Sequence, residues 1–348
     1  MLIRGITSAT LRPSFNLLRA PLQFLLFSIL TTVLSASPGP ASSAPSTLPF
    51  RFVKGFAVIV PVYLNGSGPF DLMLDTGSSC TTVDRELANS LQLPSHGRGT
   101  VTTLVRTLPT SLTEARTVSI GPITESSVKI IVRDLDGLRH LDPQIRGVLG
   151  QDVLKHADYL LDYQHHQIEF DSDGRLLSSL SGERTPVIKI PALVNADYPI
   201  LVVRTDIVNH GVQPRNFILD SGSASLVLLT DQVMGSPSEP DGVVQDDGGQ
   251  KLAVSLLPVQ LRLGHRSWEV PAHMVIFPAQ ATGFDSLLPT SLFTQLYISQ
   301  SGSFVLFNPK RMRRPADSPP PVALAQTNAP ESCGGASTVW SLSPPKVR

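Results

Sequence analysis

At 348 residues, with 41% apolar and 16% charged side chains, the chain is long enough for two hydrophobic cores and too apolar to be disordered throughout. Its 28 basic and 28 acidic residues cancel, and no basic stripe interrupts that balance, which argues against nucleic acid as a partner. Two cysteines, Cys80 and Cys333, cannot supply a disulfide framework; Cys80 reads as a small packing residue.

The first 49 residues read as a signal and linker. Arg4, Arg12 and Arg19 precede an apolar stretch from Pro21 to Leu34, and small residues follow from Ser35 to Ala44, the order of a secretory signal. About 14 apolar residues fall short of the roughly 20 that a membrane-spanning helix needs, so export to the periplasm or exterior is expected. Left uncleaved, the segment would tether the chain to a membrane. The Ser/Pro/Ala-rich run from Ala36 to Pro49 cannot form a core.

From residue 50 the pattern is that of strands. Phe56 to Leu64, the turn Asn65-Gly66-Ser67-Gly68 and Phe70 to Leu74 make a hairpin that ends in Asp75-Thr76-Gly77-Ser78. Glycine two residues after the aspartate permits a tight turn, and the flanking hydroxyls can hydrogen-bond that turn and the carboxylate. A short helix is expected near Asp84 to Leu91. Strands Val118 to Gly121 and Val128 to Val132 follow, then Gly147-Val148-Leu149-Gly150, a short helix over Gln151 to Leu154 or Val153 to Ala157, and a hairpin from Tyr159 to Phe170.

After a linker over 173–185, the same order returns. Ile200 to Val208, the turn Asn209-His210-Gly211 and Asn216 to Leu219 lead into Asp220-Ser221-Gly222-Ser223. A helix is expected around Thr230 to Met234. Leu261 to Gly264 and Val270 to Phe277 match the earlier strand pair, Ser286 to Phe293 matches the apolar segment at Gly147, and Leu296 to Phe307 matches the closing hairpin. The copies are 145 residues apart, from Asp75 to Asp220. That is too long for a solenoid repeat of about 20–50 residues, and it suits two small β lobes. The tail 310–348, rich in proline, reads as a disordered extension.

Two carboxylates held together can share one proton, because like charges about 3 Å apart cannot both ionise. One then serves as base and the other as acid. On these paired loops and the apolar-Gly segment behind them, the chain resembles the aspartic proteases, and most closely two retropepsin-like lobes fused in tandem.

The resemblance covers about residues 50–309. It implies a mostly β, bilobal acid-protease fold, with lobes at 50–172 and 186–309 related by a pseudo-twofold axis and the active site between them. It further implies that Asp75 and Asp220 activate a water for peptide-bond hydrolysis, that Thr76 and Ser221 cross-brace the loops, that Gly77 and Gly222 shape them, and that Ser78 and Ser223 orient the carboxylates. Flap hairpins would fall at Gly99 to Thr107 and Gly242 to Lys251, without the tyrosine of pepsin-like flaps. The implied partner is a peptide or protein substrate, with no cofactor and no metal, and a single chain would be active as a monomer.

Two departures weigh against this: the flaps lack the tyrosine, and proline stands at 289 where the family pattern has glycine, which puts the geometry of the second lobe in question. A catalytically silent scaffold that binds peptides is the alternative. Other chemistries find less support. Asp71, Asp84 and Asp162 lack the spacing of a metal site, His165-His166 falls in a turn, and Ser78 and Ser79 have no identifiable histidine partner for a serine hydrolase.

Overall fold

The computed structural model describes residues 46–102, 107–182, 188–194, 200–208, 213–230, 242–245, 251–276, 286–309 and 341–343. The expected signal segment and the helix beyond Thr230 lie outside these residues. Among the described residues no helix is long and apolar enough to cross a membrane.

The repeat seen in the sequence becomes two closed six-stranded barrels of the same topology. In the first, Ala57–Leu64 pairs with Ser67–Leu74, which runs parallel to Gly147–Leu149; next come Thr82–Asp84, Ile123–Arg133 and Thr107–Ile120, and Tyr63 and Leu64 pair with Ser119 and Val118 to close the ring. In the second, Leu201–Ile207, Gln213–Asp220, Ser286–Pro289, Leu226–Thr230, Arg266–Ile276 and Lys251–Leu263 follow the same order, and Asp206 and Ile207 pair with Arg262 and Leu261 to close it. Even the parallel pairs correspond: Leu72 opposite Gly147 in one barrel is Phe217 opposite Ser286 in the other. Closure leaves no free edge within each ring and encloses a core of branched aliphatic side chains.

The first hairpin turns as its sequence requires. Asn65 (φ 53°) and Gly66 (φ 79°) both take the left-handed conformation that a two-residue hairpin turn demands.

A third, antiparallel layer joins the lobes, in the order Thr47–Pro49, Gln167–Asp171, Asp158–Asp162, Phe293–Ser299, Phe304–Pro309, Ile188–Val194. The two closing hairpins therefore pair with each other, Tyr159 opposite Ile298 and Asp162 opposite Gln295. Alternation along Gln167–Asp171 sends Ile168 and Phe170 into the core.

Three local expectations change. Residues 173–185 include a helix, Arg175–Gly182, whose Leu176, Leu177 and Leu180 cover the outer face of the joining sheet at Leu160, Tyr297, Phe304 and Leu306. A further helix, Asp136–Leu141, has too few residues to show a periodicity in the sequence. Within the tail, Ser341–Ser343 forms a strand against Gly242–Gln245.

Pro289 leaves the second barrel intact. The register continues through Asp220 opposite Pro289, and the ring sits at φ −67°, as proline requires, ahead of the short 3-10 turn Thr290–Leu292. In the first lobe, the Gly150 amide donates to Thr81 Oγ1 at 3.3 Å. The second-lobe residue at Thr81's place is Leu226, which offers no acceptor, so the lost donor leaves no partner stranded.

Candidate active site

Both aspartate loops begin where a buried strand ends, and each is backed by the parallel strand that crosses behind it. The Asp75 amide donates to the Leu149 carbonyl at 3.0 Å, which pins the first loop to that strand. Within each loop the geometry is the same: Gly77 N–H donates to Asp75 Oδ1 and Gly222 N–H to Asp220 Oδ1, each at 2.8 Å. A carboxylate so held has one oxygen tied to its own turn.

The loops then lock to one another. Thr76 Oγ1 donates to the Leu219 carbonyl at 2.6 Å and accepts from the Ser221 amide at 3.0 Å; Ser221 Oγ donates to the Leu74 carbonyl at 2.7 Å and accepts from the Thr76 amide at 3.0 Å. All four bonds are buried. Each hydroxyl both gives and receives, so neither loop can rotate without breaking two bonds in each direction.

Glycine is required here by packing. A Cβ at Gly77 would stand 2.8 Å from Asp220 Cγ, and one at Gly222 would stand 2.9 Å from Asp75 Cγ. Each loop's turn is therefore the floor against which the other loop's carboxylate rests.

Asp75 and Asp220 are both fully buried. Burial first, and then the facing Asp220 charge, push the Asp75 carboxyl well above the ordinary carboxylate range, against the opposing pull of the Gly77 amide. Asp75 Oδ2 is buried without a hydrogen-bond partner among the described residues. The pair thus keeps a proton at pH values where an isolated carboxyl has lost it.

All eight loop residues singled out in the sequence come together. Ser78 and Ser223 brace the turns: Ser78 Oγ donates to the Cys80 carbonyl at 2.9 Å and Ser223 Oγ to the Ser225 carbonyl at 2.8 Å. Cys80 is half-buried, and burial raises its thiol, consistent with a packing role.

Three residues that sequence reasoning did not single out support the loops. Gln151 Nε2 donates to the Thr76 carbonyl at 3.1 Å, and its Oε1 accepts from Gln300 Nε2 at 3.0 Å, a link from the first loop to the second lobe. Beneath the second loop, the buried Tyr163 hydroxyl and Thr290 Oγ1 lie 2.5 Å apart, Thr290 being next to the residue that pairs with Asp220. Position was the available signal for Gln151 and Thr290, since both directly follow the crossing strand; Tyr163 is 127 residues from Thr290 and carries none.

The other acidic residues weighed in the sequence have structural duties. Asp84 caps helix Arg85–Ser90 through the Leu87 amide at 2.6 Å and pairs with Arg146 at 2.6 Å. Asp71 pairs with Arg51, and Asp162 accepts from His165 Nδ1 and Gln295. Among the described residues, no group of three or more His, Cys, Asp or Glu side chains is arranged to hold a metal ion.

Hairpins rise at both expected flap positions. Ser95–Thr102 pairs with Thr107–Ile120, and Gly242–Gln245 with Lys251–Leu263; their tips, 103–106 and 246–250, lie outside the described residues.

The aspartyl protease family model matches residues 60–153, the segment holding the first loop and its crossing strand. Among solved structures, the chain is similar to a retropepsin-like aspartic protease from Rickettsia conorii, at 17% identity over 36% of this chain and 89% of that one, with a TM-score of 0.26. No curated protein matches the chain. The family match spans the loop and strands of the first lobe, and the second copy of that loop and barrel lies outside the matched residues.

Proposed function

We propose that the chain is an aspartic endopeptidase in which Asp75 and Asp220 share one proton and activate a water against a peptide carbonyl. The observation that carries this reading is the reciprocal seating of each carboxylate on the other loop's glycine, which brings two fully buried acids face to face.

The chemistry follows from that arrangement. The ionised member draws a proton from water as the oxygen attacks the carbonyl carbon; the protonated member hydrogen-bonds the developing oxyanion and later the proton passes to the leaving amine. The backbone amides of Gly77 and Gly222 hold one oxygen of each acid, which leaves the other for the reaction. Thr76 and Ser221 keep the two acids at a fixed separation, which is what proton sharing needs.

Both loops belong to one chain, and the monomer is the working unit on this reading. The basic, then apolar, then small-residue order of the N-terminus supports action after export, with an uncleaved segment leaving the enzyme tethered to a membrane.

The test is hydrolysis of a mixed peptide library by the full chain from acid to neutral pH, alongside Asp75→Asn and Asp220→Asn. Loss of cleavage in both variants and inhibition by a statine-type analogue, with indifference to chelators, supports the assignment. Near wild-type cleavage by either variant refutes it, and absence of cleavage by well-folded wild type favours a silent peptide-binding scaffold.

A further inference from the structure

The two lobes repeat each other closely enough that their differences beside the site can be read position by position. Immediately after each aspartate loop, the fifth residue beyond the aspartate is half-buried: Cys80 in the first lobe and Ser225 in the second. Each is followed by the strand that runs parallel to the long return strand of its barrel. Thr82 lies opposite Ile131 in the first, and its counterpart Val227 lies opposite His273 in the second.

The next strand outward is the inner arm of the flap hairpin. There Leu112 lies opposite Ile131, and Leu256 opposite His273. Directly opposed residues of an antiparallel pair share a face of the sheet. Each lobe therefore has a three-residue patch running from the aspartate loop to the root of its flap hairpin.

In the first lobe this patch is Cys80, Ile131 and Leu112, with Ile131 buried. In the second it is Ser225, His273 and Leu256. Ser225 Oγ and His273 Nδ1 are 3.0 Å apart, and Leu256 is 48% exposed, one of three large apolar side chains so exposed among the described residues. The leucine is kept in both copies, while a weakly polar cysteine gives way to serine and an isoleucine to histidine.

We propose that Ser225 and His273 form a polar side-chain subsite on the second-lobe half of the cleft, which accepts a substrate residue carrying a hydrogen-bonding side chain, whereas Cys80, Ile131 and Leu112 make the matching first-lobe subsite apolar. This rests on the peptide-cleft reading above and assigns it a direction: the substrate is read asymmetrically about the scissile bond. Burial lowers the His273 imidazole, so the ring acts as a neutral donor and acceptor. With Nδ1 engaged by Ser225, whose hydroxyl can either donate or accept, Nε2 is the ring's second hydrogen-bonding atom. A site built to hydrogen-bond a substrate group discriminates against analogues that lack it, because its own polar atoms are then left unpaired.

The test uses the full chain and paired peptides that differ only in one side chain, polar or isosteric apolar, on either side of the scissile bond. Both kcat/KM and binding of the corresponding statine-type peptides are measured for wild type, His273→Ile, Ser225→Ala and His273→Gln. For wild type a polar preference is expected on one side only. In His273→Ile and Ser225→Ala the polar-to-apolar ratio at that position falls about tenfold, the loss of about one hydrogen bond's discrimination, and His273→Gln restores part of it. A ratio unchanged in both variants, or changed equally on both sides of the scissile bond, overturns the subsite. Binding separates this from the catalytic reading: peptides that bind with His273-dependent preference but are never cleaved refute hydrolysis and leave the subsite standing, whereas peptides cleaved with an unaltered preference refute the subsite alone. Failure of wild type to bind or cleave any peptide overturns both.

Discussion

Gly77 sits against the carboxyl group of Asp220, so close that a single methyl on its Cα would lie 2.8 Å from Asp220 Cγ and 3.0 Å from Oδ1. The contact runs between lobes, from one loop's turn to the other loop's acid. Gly77→Ala is therefore expected to push the two acids apart. Overpacking at a site of this kind costs about 1–3 kcal/mol, but the effect on hydrolysis is expected to be far larger than that loss of stability suggests, because proton sharing depends on separation. A variant that melts a few degrees lower and yet cleaves peptides at the wild-type rate contradicts the idea that this packing sets the spacing.

Thr76 and Ser221 exchange four buried bonds, and each hydroxyl is the donor to a carbonyl in the opposite loop. Thr76→Val strands the Leu219 carbonyl and Ser221→Ala strands that of Leu74, each at a cost of about 1–3 kcal/mol. Since the bonds form one reciprocal unit, the double variant is expected to lose less than the two singles added together. Chemical denaturation of the four proteins supplies the cycle. Strict additivity shows two independent braces in place of one lock.

Much of this site is legible in the amino-acid sequence. Glycine two residues past an aspartate, at the end of an apolar strand, announces a turn, and its recurrence 145 residues later announces a pair. The barrels followed from matching strand patterns in the two halves. What could not be read were contacts whose partners lie far apart in sequence, such as Tyr163 with Thr290, because no periodicity connects them. Pro289 misled for a related reason. A proline in place of glycine signals a lost amide donor, but whether the loss matters depends on the partner, and the partner's replacement by Leu226 is visible only once the lobes are superposed strand by strand. The helix Arg175–Gly182 escaped because its leucines are spaced among serines in a segment that composition alone marks as a linker.

Gln151 is the clearest positioning residue outside the loops. Its amide nitrogen holds the Thr76 carbonyl while its oxygen receives Gln300 from the second lobe. Gln151→Leu keeps the volume and removes both bonds, leaving a buried carbonyl unmatched, for about 1–3 kcal/mol. A loss confined to stability describes a structural brace. A positioning role predicts more: kcat falls while KM for a well-bound peptide changes little, and Gln151→Glu, which keeps an acceptor for Gln300 but loses the donor to Thr76, recovers only part of the loss. Steady-state kinetics on one peptide series decides between them.

The raised carboxyl of Asp75 ties stability to pH with a definite sign. Its folded value lies above the ordinary 3.8, so between those two values the folded protein holds a proton that the unfolded chain has released. The contribution is fully present below the ordinary value and is lost as pH rises through the raised one, opposite to the usual behaviour of a salt-bridged aspartate. Asp75→Asn removes the ionisation altogether. Melting temperature measured against pH is then expected to decline across this window in wild type and to stay flatter in the variant, which becomes the more stable protein near neutrality although it does not cleave. Activity should follow the same titration in the same direction, strongest where one proton is shared and fading as the pair loses it. Parallel melting profiles for the two proteins would mean that Asp75 titrates as an ordinary exposed acid, and the shared proton would have to be abandoned with it.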